Sequence, residues 1–200
     1  MKFIKENSYD IVKFFIYQIG IAVFALCVAI PLNEAVEEEA SGKLVQLGVS
    51  ILAILFYCIL VYTVSWEQGA TDRIRIDGGK IVGDPFKSAK LALLANIPNF
   101  VLSAFAIIAA VLFADGNAWT GITVVILAIL GLVDSMYLGT VEFIVYGLDN
   151  ATNLYYILKS VCFFAFPLII VGAAQLGYFL GDKNIRIFGF ASGNKKKNKK

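Results

Sequence analysis

Apolar residues in this chain come in long runs, and most of the charged residues lie between the runs. Five runs approach or exceed the length of about 20 residues that a helix needs to cross a hydrocarbon core about 30 Å thick. They cover residues 14–30, 44–65, 90–113, 119–148 and 156–180. In hydrocarbon a backbone can satisfy its own N–H and C=O groups only as a helix or a closed barrel, and runs of this length and continuity predict helices. The expected fold is therefore an all-α integral membrane protein. Residues 1–182 form one bundle of about five transmembrane helices, and residues 183–200 form a basic tail.

The polar connection at residues 67–89 has a different period. Arg73-Ile74-Arg75-Ile76-Asp77-Gly78-Gly79-Lys80-Ile81-Val82 alternates apolar and polar positions around an Asp-Gly-Gly turn. Period two around such a turn predicts a short β-hairpin. Asp84 then serves as a helix N-cap, with Pro85 as the first helical residue. The first run follows Lys2, Lys5 and Lys13 and ends at Pro31. It resembles a signal-peptide core, but without a small-x-small cleavage site behind it the segment reads as a retained helix.

Composition agrees with lipid as the solvent. Of 200 residues, 59% are hydrophobic and 16% charged, and the mean hydropathy is +0.78, whereas soluble domains carry about 25% charged residues. This excludes a soluble enzyme, a nucleic-acid-binding domain, a secreted disulfide scaffold and a disordered chain. The terminal lysines Lys195, Lys196, Lys197, Lys199 and Lys200 leave the body with 12 basic against 15 acidic residues. The body thus has no basic groove for nucleic acid. Lysines and arginines flank the N-terminus and the hairpin loop, while the opposite side has little beyond Lys43, so the N-terminus and hairpin are expected in the cytoplasm and the chain in the plasma membrane. Five crossings would put the tail outside; an even number, with part of residues 119–180 re-entrant, would return it to the cytoplasm.

Candidate chemistry is sparse. Histidine is absent, and Cys27, Cys58 and Cys162 are isolated, so no metal site, no cofactor and no catalytic residue is expected. Asp134 and Glu142 stand inside the fourth run, eight residues and about 80° apart around a helix. An ionised Asp at the centre of a bilayer helix costs about 2.5 to 3.5 kcal/mol, so the pair marks either an intramembrane cation or proton site or a headgroup-level position. Asn96 and Asn99 flank Pro98 and offer side-chain hydrogen bonds at a helix hinge; Pro167 is a second hinge candidate. Gly131, Ser135 and Gly139 recur every fourth residue as a helix-packing seam. Arg73 and Arg75, with Lys195, Lys196 and Lys197, are candidate contacts for a partner or for anionic lipid.

The strings WEQGATDRIRIDGGK, ANIPN, FPLII and GYFLG, with the lysine tail, resemble small uncharacterised polytopic membrane proteins of low-GC Gram-positive bacteria. The resemblance covers roughly Trp66 to the C-terminus. It implies a bacterial plasma membrane and brings no known activity. The expected function is that of a non-catalytic accessory, scaffold or regulatory subunit of a membrane complex, contacting the bilayer and either a protein partner or a second copy of itself. The alternative is a small oligomeric transporter or channel built on Asp134, Glu142, Asn96 and Asn99.

Overall fold

The structure, a computed structural model, describes residues 2–34, 39–112, 118–148 and 152–185. Eight helices follow one another along these segments: α1 (Lys2–Glu6), α2 (Ser8–Glu34), α3 (Glu39–Asp77), α4 (Lys87–Ala95), α5 (Ile97–Leu112), α6 (Ala118–Val133), α7 (Ser135–Ile144) and α8 (Asn153–Asp182). Three are long and apolar enough to cross a membrane, over Ser8–Leu32, Ser41–Asp77 and Asn153–Asp182. The α4–α5 pair, bent by 56°, makes a fourth candidate. The lysine tail, with Lys195, Lys196 and Lys197, lies outside the described residues.

The expected β-hairpin does not form, and no strand occurs among the described residues. Adding a residue to an existing helix is far cheaper than nucleating a new element, so α3 continues through Arg73-Ile74-Arg75-Ile76 to Asp77. An i,i+4 pair of Arg73 with Asp77, at 3.2 Å, supports its last turn. The Gly-Gly step that reads as a hairpin turn is instead the helix stop. The Gly79 N–H bonds the Ile76 carbonyl and the Lys80 N–H bonds the Arg75 carbonyl, both at 2.9 Å. With Gly79 at φ +68°, this is a Schellman cap, which needs a residue that tolerates the left-handed region. Helix α4 begins later than expected: Asp84 accepts the Phe86 N–H at 3.2 Å, and the N-cap position falls on Phe86.

The third and fourth apolar runs are not single helices either. The third breaks at Asn96, two residues before Pro98, which sits in the first turn of α5 where its missing N–H leaves no bond unmade. The fourth breaks at Asp134, whose backbone lies at φ −112°, ψ 30°. Pro31 and Pro167, by contrast, lie inside the unbroken helices α2 and α8.

The α6–α7 unit turns back at Asp134. Val124 and Leu127 of α6 line a cleft of about 430 Å³ with Tyr155 and Tyr156 at the start of α8. At its other end α6 delivers Asp134 to Asn99, near the start of α5. Helix α7 then runs back along α8. Tyr137 stacks on Phe166 with ring centroids 5.5 Å apart, and Glu142 pairs with Lys159, closer to where α8 begins. Just past α7, Tyr146 meets the beginning of α3, where the Lys43 ammonium lies 4.0 Å from its ring centroid. The expected five long helices are thereby corrected to three long helices, one bent pair and the shorter helices α6 and α7, which part at Asp134. Through these passages α2 starts, α3 ends, α4 starts and α8 ends at the same end of the bundle.

Two features hold the helices at close range. The α3–α8 pair meets through Gly69, Gly177 and Gly181: a Cβ at each would lie inside van der Waals distance of a facing backbone carbonyl, that of Tyr178, Tyr62 and Trp66 respectively. Gly139 of α7 backs onto the Gln46 carbonyl of α3 in the same way. Glycine lets backbones approach where any side chain would wedge them apart. The second feature is the distribution of polarity. Gln18, Ser50, Ser65, Ser88, Asn96, Asn99, Ser103, Asp134 and Ser160 are buried, while Phe24, Leu52, Leu55, Phe105, Leu132 and Leu168 are exposed. A water-soluble helical bundle has the reverse arrangement.

A methyl group at Gly181 has to displace the Trp66 backbone, so Gly181→Ala is expected to destabilise by about 1–3 kcal/mol. Gly172 has nothing within 4 Å, and Gly172→Ala should be neutral or slightly stabilising, because alanine loses less backbone entropy in a helix. Thermal unfolding of the two variants in detergent checks this, and a drop for Gly172→Ala alone would contradict the packing.

Candidate functional site in the bundle interior

Asp134 is fully buried at the turn between α6 and α7. Its Oδ1 accepts two side-chain hydrogen bonds, from Gln18 Nε2 of α2 at 2.6 Å and from Asn99 Nδ2 of α5 at 3.1 Å. Asn99 Nδ2 also lies 3.3 Å from Asn96 Oδ1, and Asn96 Nδ2 donates to the Ala92 carbonyl at 2.9 Å. The interruption of α4–α5 is thus tied to the interruption of α6–α7 by one chain of amides ending on a carboxylate. No lysine or arginine pairs with Asp134 among the described residues.

Several oxygens around this carboxylate lack partners. Asp134 Oδ2, Gln18 Oε1, Asn99 Oδ1, Ser103 Oγ and the Tyr137 hydroxyl are buried without a hydrogen bond. Ser103 lies one turn from Asn99 on the same face of α5, and Tyr137 lies in the first turn of α7, three residues after Asp134. Buried polar groups without partners are scarce in folded proteins, and each calls for an explanation.

The other residues singled out by the sequence separate into different roles. Glu142 is not brought to Asp134: the break turns α7 away, and Glu142 pairs with Lys159, which also lies 3.2 Å from the Tyr155 hydroxyl. The Gly131–Ser135–Gly139 seam divides at the same break. Ser135 donates to the Ala22 carbonyl of α2 at 2.6 Å, Gly139 faces α3, and Gly131 faces Leu138. Arg73 and Arg75 do not share a hairpin face, because residues two apart on a helix point about 200° apart. Arg73 pairs with Asp77 and lies 3.9 Å from Asp182 of α8; Arg75 lines a cleft with Asp10, Lys13, Glu67, Asp72 and Lys87.

Sequence reasoning missed Gln18, Lys159, Ser103 and Tyr137. Gln18 carried a usable signal, as the only carboxamide within the first apolar run. Ser103 and Tyr137 carried none, since neither residue type is unusual in a membrane helix. The ionic cluster at the end shared by α3, α4 and α8 was also missed. There Asp72, 4% exposed, accepts Lys87 Nζ at 2.7 Å and the Tyr178 hydroxyl at 3.2 Å. Nearby, Ser88 donates to Ser65 at 2.7 Å.

Compared with protein-family models, with curated proteins and with solved structures, the chain matches none. The geometry therefore carries the functional reading by itself.

Removing one partner of a buried ion pair strands the other, so Lys87→Met is expected to cost about 3 kcal/mol or more, and adding Asp72→Asn should recover most of the loss. A double-mutant cycle on thermal unfolding reads this directly; additive effects of the two changes would mean that the pair contributes nothing.

Proposed function

We propose that this chain is a multi-pass plasma-membrane protein that binds and moves a small cation, proton or metal, through an intramembrane site centred on Asp134. The observation that supports the reading is a fully buried carboxylate with no basic partner among the described residues, held by amides from two other helices where two helical segments break. An isolated carboxylate in a low-dielectric interior cannot remain a bare anion at acceptable cost; it holds a proton or a cation. Broken helices that place polar groups at mid-bundle are how transporters build such sites without exposing backbone to lipid. The reading as an accessory subunit leaned on the hairpin as a docking element. Its first half, through Asp77, is helix, and its Arg73 is engaged within the chain.

The inverted polarity supports membrane insertion, with the apolar outer residues facing lipid. The end where α2 starts and α8 ends carries Lys5, Lys13, Arg73, Arg75, Lys80, Lys87, Lys90 and Lys183, against Lys43 and Lys159 towards the other end. By the positive-inside rule the first end is cytoplasmic, and the chain leaves α8 on that side. A bacterial membrane accords with the resemblance noted from the sequence.

Reconstituted in liposomes, the protein should carry protons or monovalent cations down an imposed gradient. Asp134→Asn should reduce the flux to that of protein-free liposomes while leaving the thermal midpoint close to that of the parent. Flux unchanged in Asp134→Asn would overturn the reading. Topology is tested separately in a background lacking Cys27, Cys58 and Cys162. A cysteine at the exposed Val82 should label from the same side as a C-terminal tag, and one at the exposed Leu154 from the opposite side.

A further inference from the structure

We propose that Asp134, Gln18 and Asn99 form a binding site for a small monovalent metal cation of the sodium class, which the two amides receive by turning their oxygens towards it. This rests on the transport reading of the same site and narrows it from any cation to a metal ion.

A side-chain amide is two-faced: one side donates N–H, the other accepts through oxygen, and a half-turn of the terminal group exchanges them. In the structure Gln18 and Asn99 direct their N–H groups at Asp134 Oδ1. Their own oxygens, Gln18 Oε1 and Asn99 Oδ1, are buried without partners, as is Asp134 Oδ2. Turned about, both amides would present oxygen to a carboxylate. That arrangement repels unless a cation lies between them, and with a cation there the amides and the carboxylate become its ligands. Turning Asn99 also gives up its 3.3 Å contact with Asn96 Oδ1, so the arrangement with the ion exchanges that amide contact, and the two bonds to Asp134, for ligation of the cation. Ser103 Oγ and the Tyr137 hydroxyl are further buried oxygens without partners on α5 and α7.

The donor chemistry selects the class of ion. Every candidate ligand is a hard oxygen, which suits alkali and alkaline-earth ions and disfavours soft transition metals. Only one ligand carries charge, and no group of three or more Asp, Glu, Cys or His residues occurs among the described residues. One carboxylate neutralises one positive charge; a divalent ion would keep an uncompensated charge in the bundle interior. Close packing favours a small ion, since Gln18, Asn99, Ser103, Asp134 and Tyr137 are all at most 1% exposed.

The test is thermal unfolding of the purified full-length protein in detergent, at fixed pH and ionic strength, with sodium chloride exchanged for choline chloride. A ligand that binds only the folded state raises the midpoint continuously with its concentration. Sodium should raise the midpoint of the parent by several degrees, potassium should raise it less, and choline should have no effect. The shift should vanish in Asp134→Asn and shrink in Gln18→Leu and Asn99→Leu, while Gly172→Ala keeps it. If the leucine variants do not fold, binding of radioactive sodium to the parent, displaced by unlabelled sodium and not by choline, reads the same site. Equal midpoints in sodium and choline, or a sodium shift that survives Asp134→Asn, would overturn the proposal. Asp134-dependent proton flux without any sodium shift would overturn this inference and leave the transport reading standing; absence of both would end both.

Discussion

A carboxylate inside an apolar bundle has to be held by something other than water, and in this protein that requirement joins the helices. Asp134 takes hydrogen bonds from α2 through Gln18 and from α5 through Asn99. Asn99 in turn links to Asn96 at the break between α4 and α5. A polar contact in such surroundings is directional, whereas apolar packing against lipid-like neighbours is not, so these bonds fix which faces meet. Both helix breaks fall at residues of this network. The turn of α6–α7 and the bend of α4–α5 are therefore two parts of one arrangement.

Around that centre the helices pack by two different means. Towards the end where α8 finishes, glycines bring α3 and α8 backbone to backbone. At the level of α7, hydroxyls do similar work: Ser50 of α3 donates to the Met136 carbonyl and lies 3.0 Å from the Thr140 hydroxyl, while Ser135 reaches the Ala22 carbonyl of α2. The network around Asp134 differs from both because a carboxylate lies at its centre. Unpaired buried amide oxygens also occur at Gln68 and Gln175, but among the described residues only at Asp134 do they accompany a buried carboxylate with an unpaired oxygen of its own, which is the physical reason to place function there.

Charge is distributed with the same economy. Among the described residues the interior carboxylate has no basic partner, while Asp72, Asp84 and Glu142 nearer the ends each pair with a lysine, respectively Lys87, Lys90 and Lys159. Lysine has a long apolar stem and can carry its ammonium towards an interface while the stem packs within the bundle. A lysine reaching Asp134 from either end would have to bury its charge as deeply as the carboxylate. Amides avoid that cost, and they can serve as donors or acceptors as the occupant of the site demands.

Much of this was legible along the chain. Runs of apolar residues longer than a soluble core needs gave the helical character, because only a helix satisfies its own backbone in such surroundings. Asp134, Asn96 and Asn99 stood out because polar side chains are costly there. The alternation at Arg73–Ile76 misled, since period two is a local signal and a helix already running from Glu39 outweighs it; the Gly78–Gly79 step is equally compatible with a hairpin and a helix cap. The pairing of Asp134 with Gln18, 116 residues away, and the parting of Asp134 from Glu142 could not be read from spacing, because both depend on a break whose angle is set by the helices packed around it. Sequence alone determined that the apolar runs are helical and which polar groups are costly to bury. Tertiary structure decided where the helices break and which of those groups meet, because the direction of a chain after a break is fixed by long-range hydrogen bonds and close glycine contacts that no local pattern encodes.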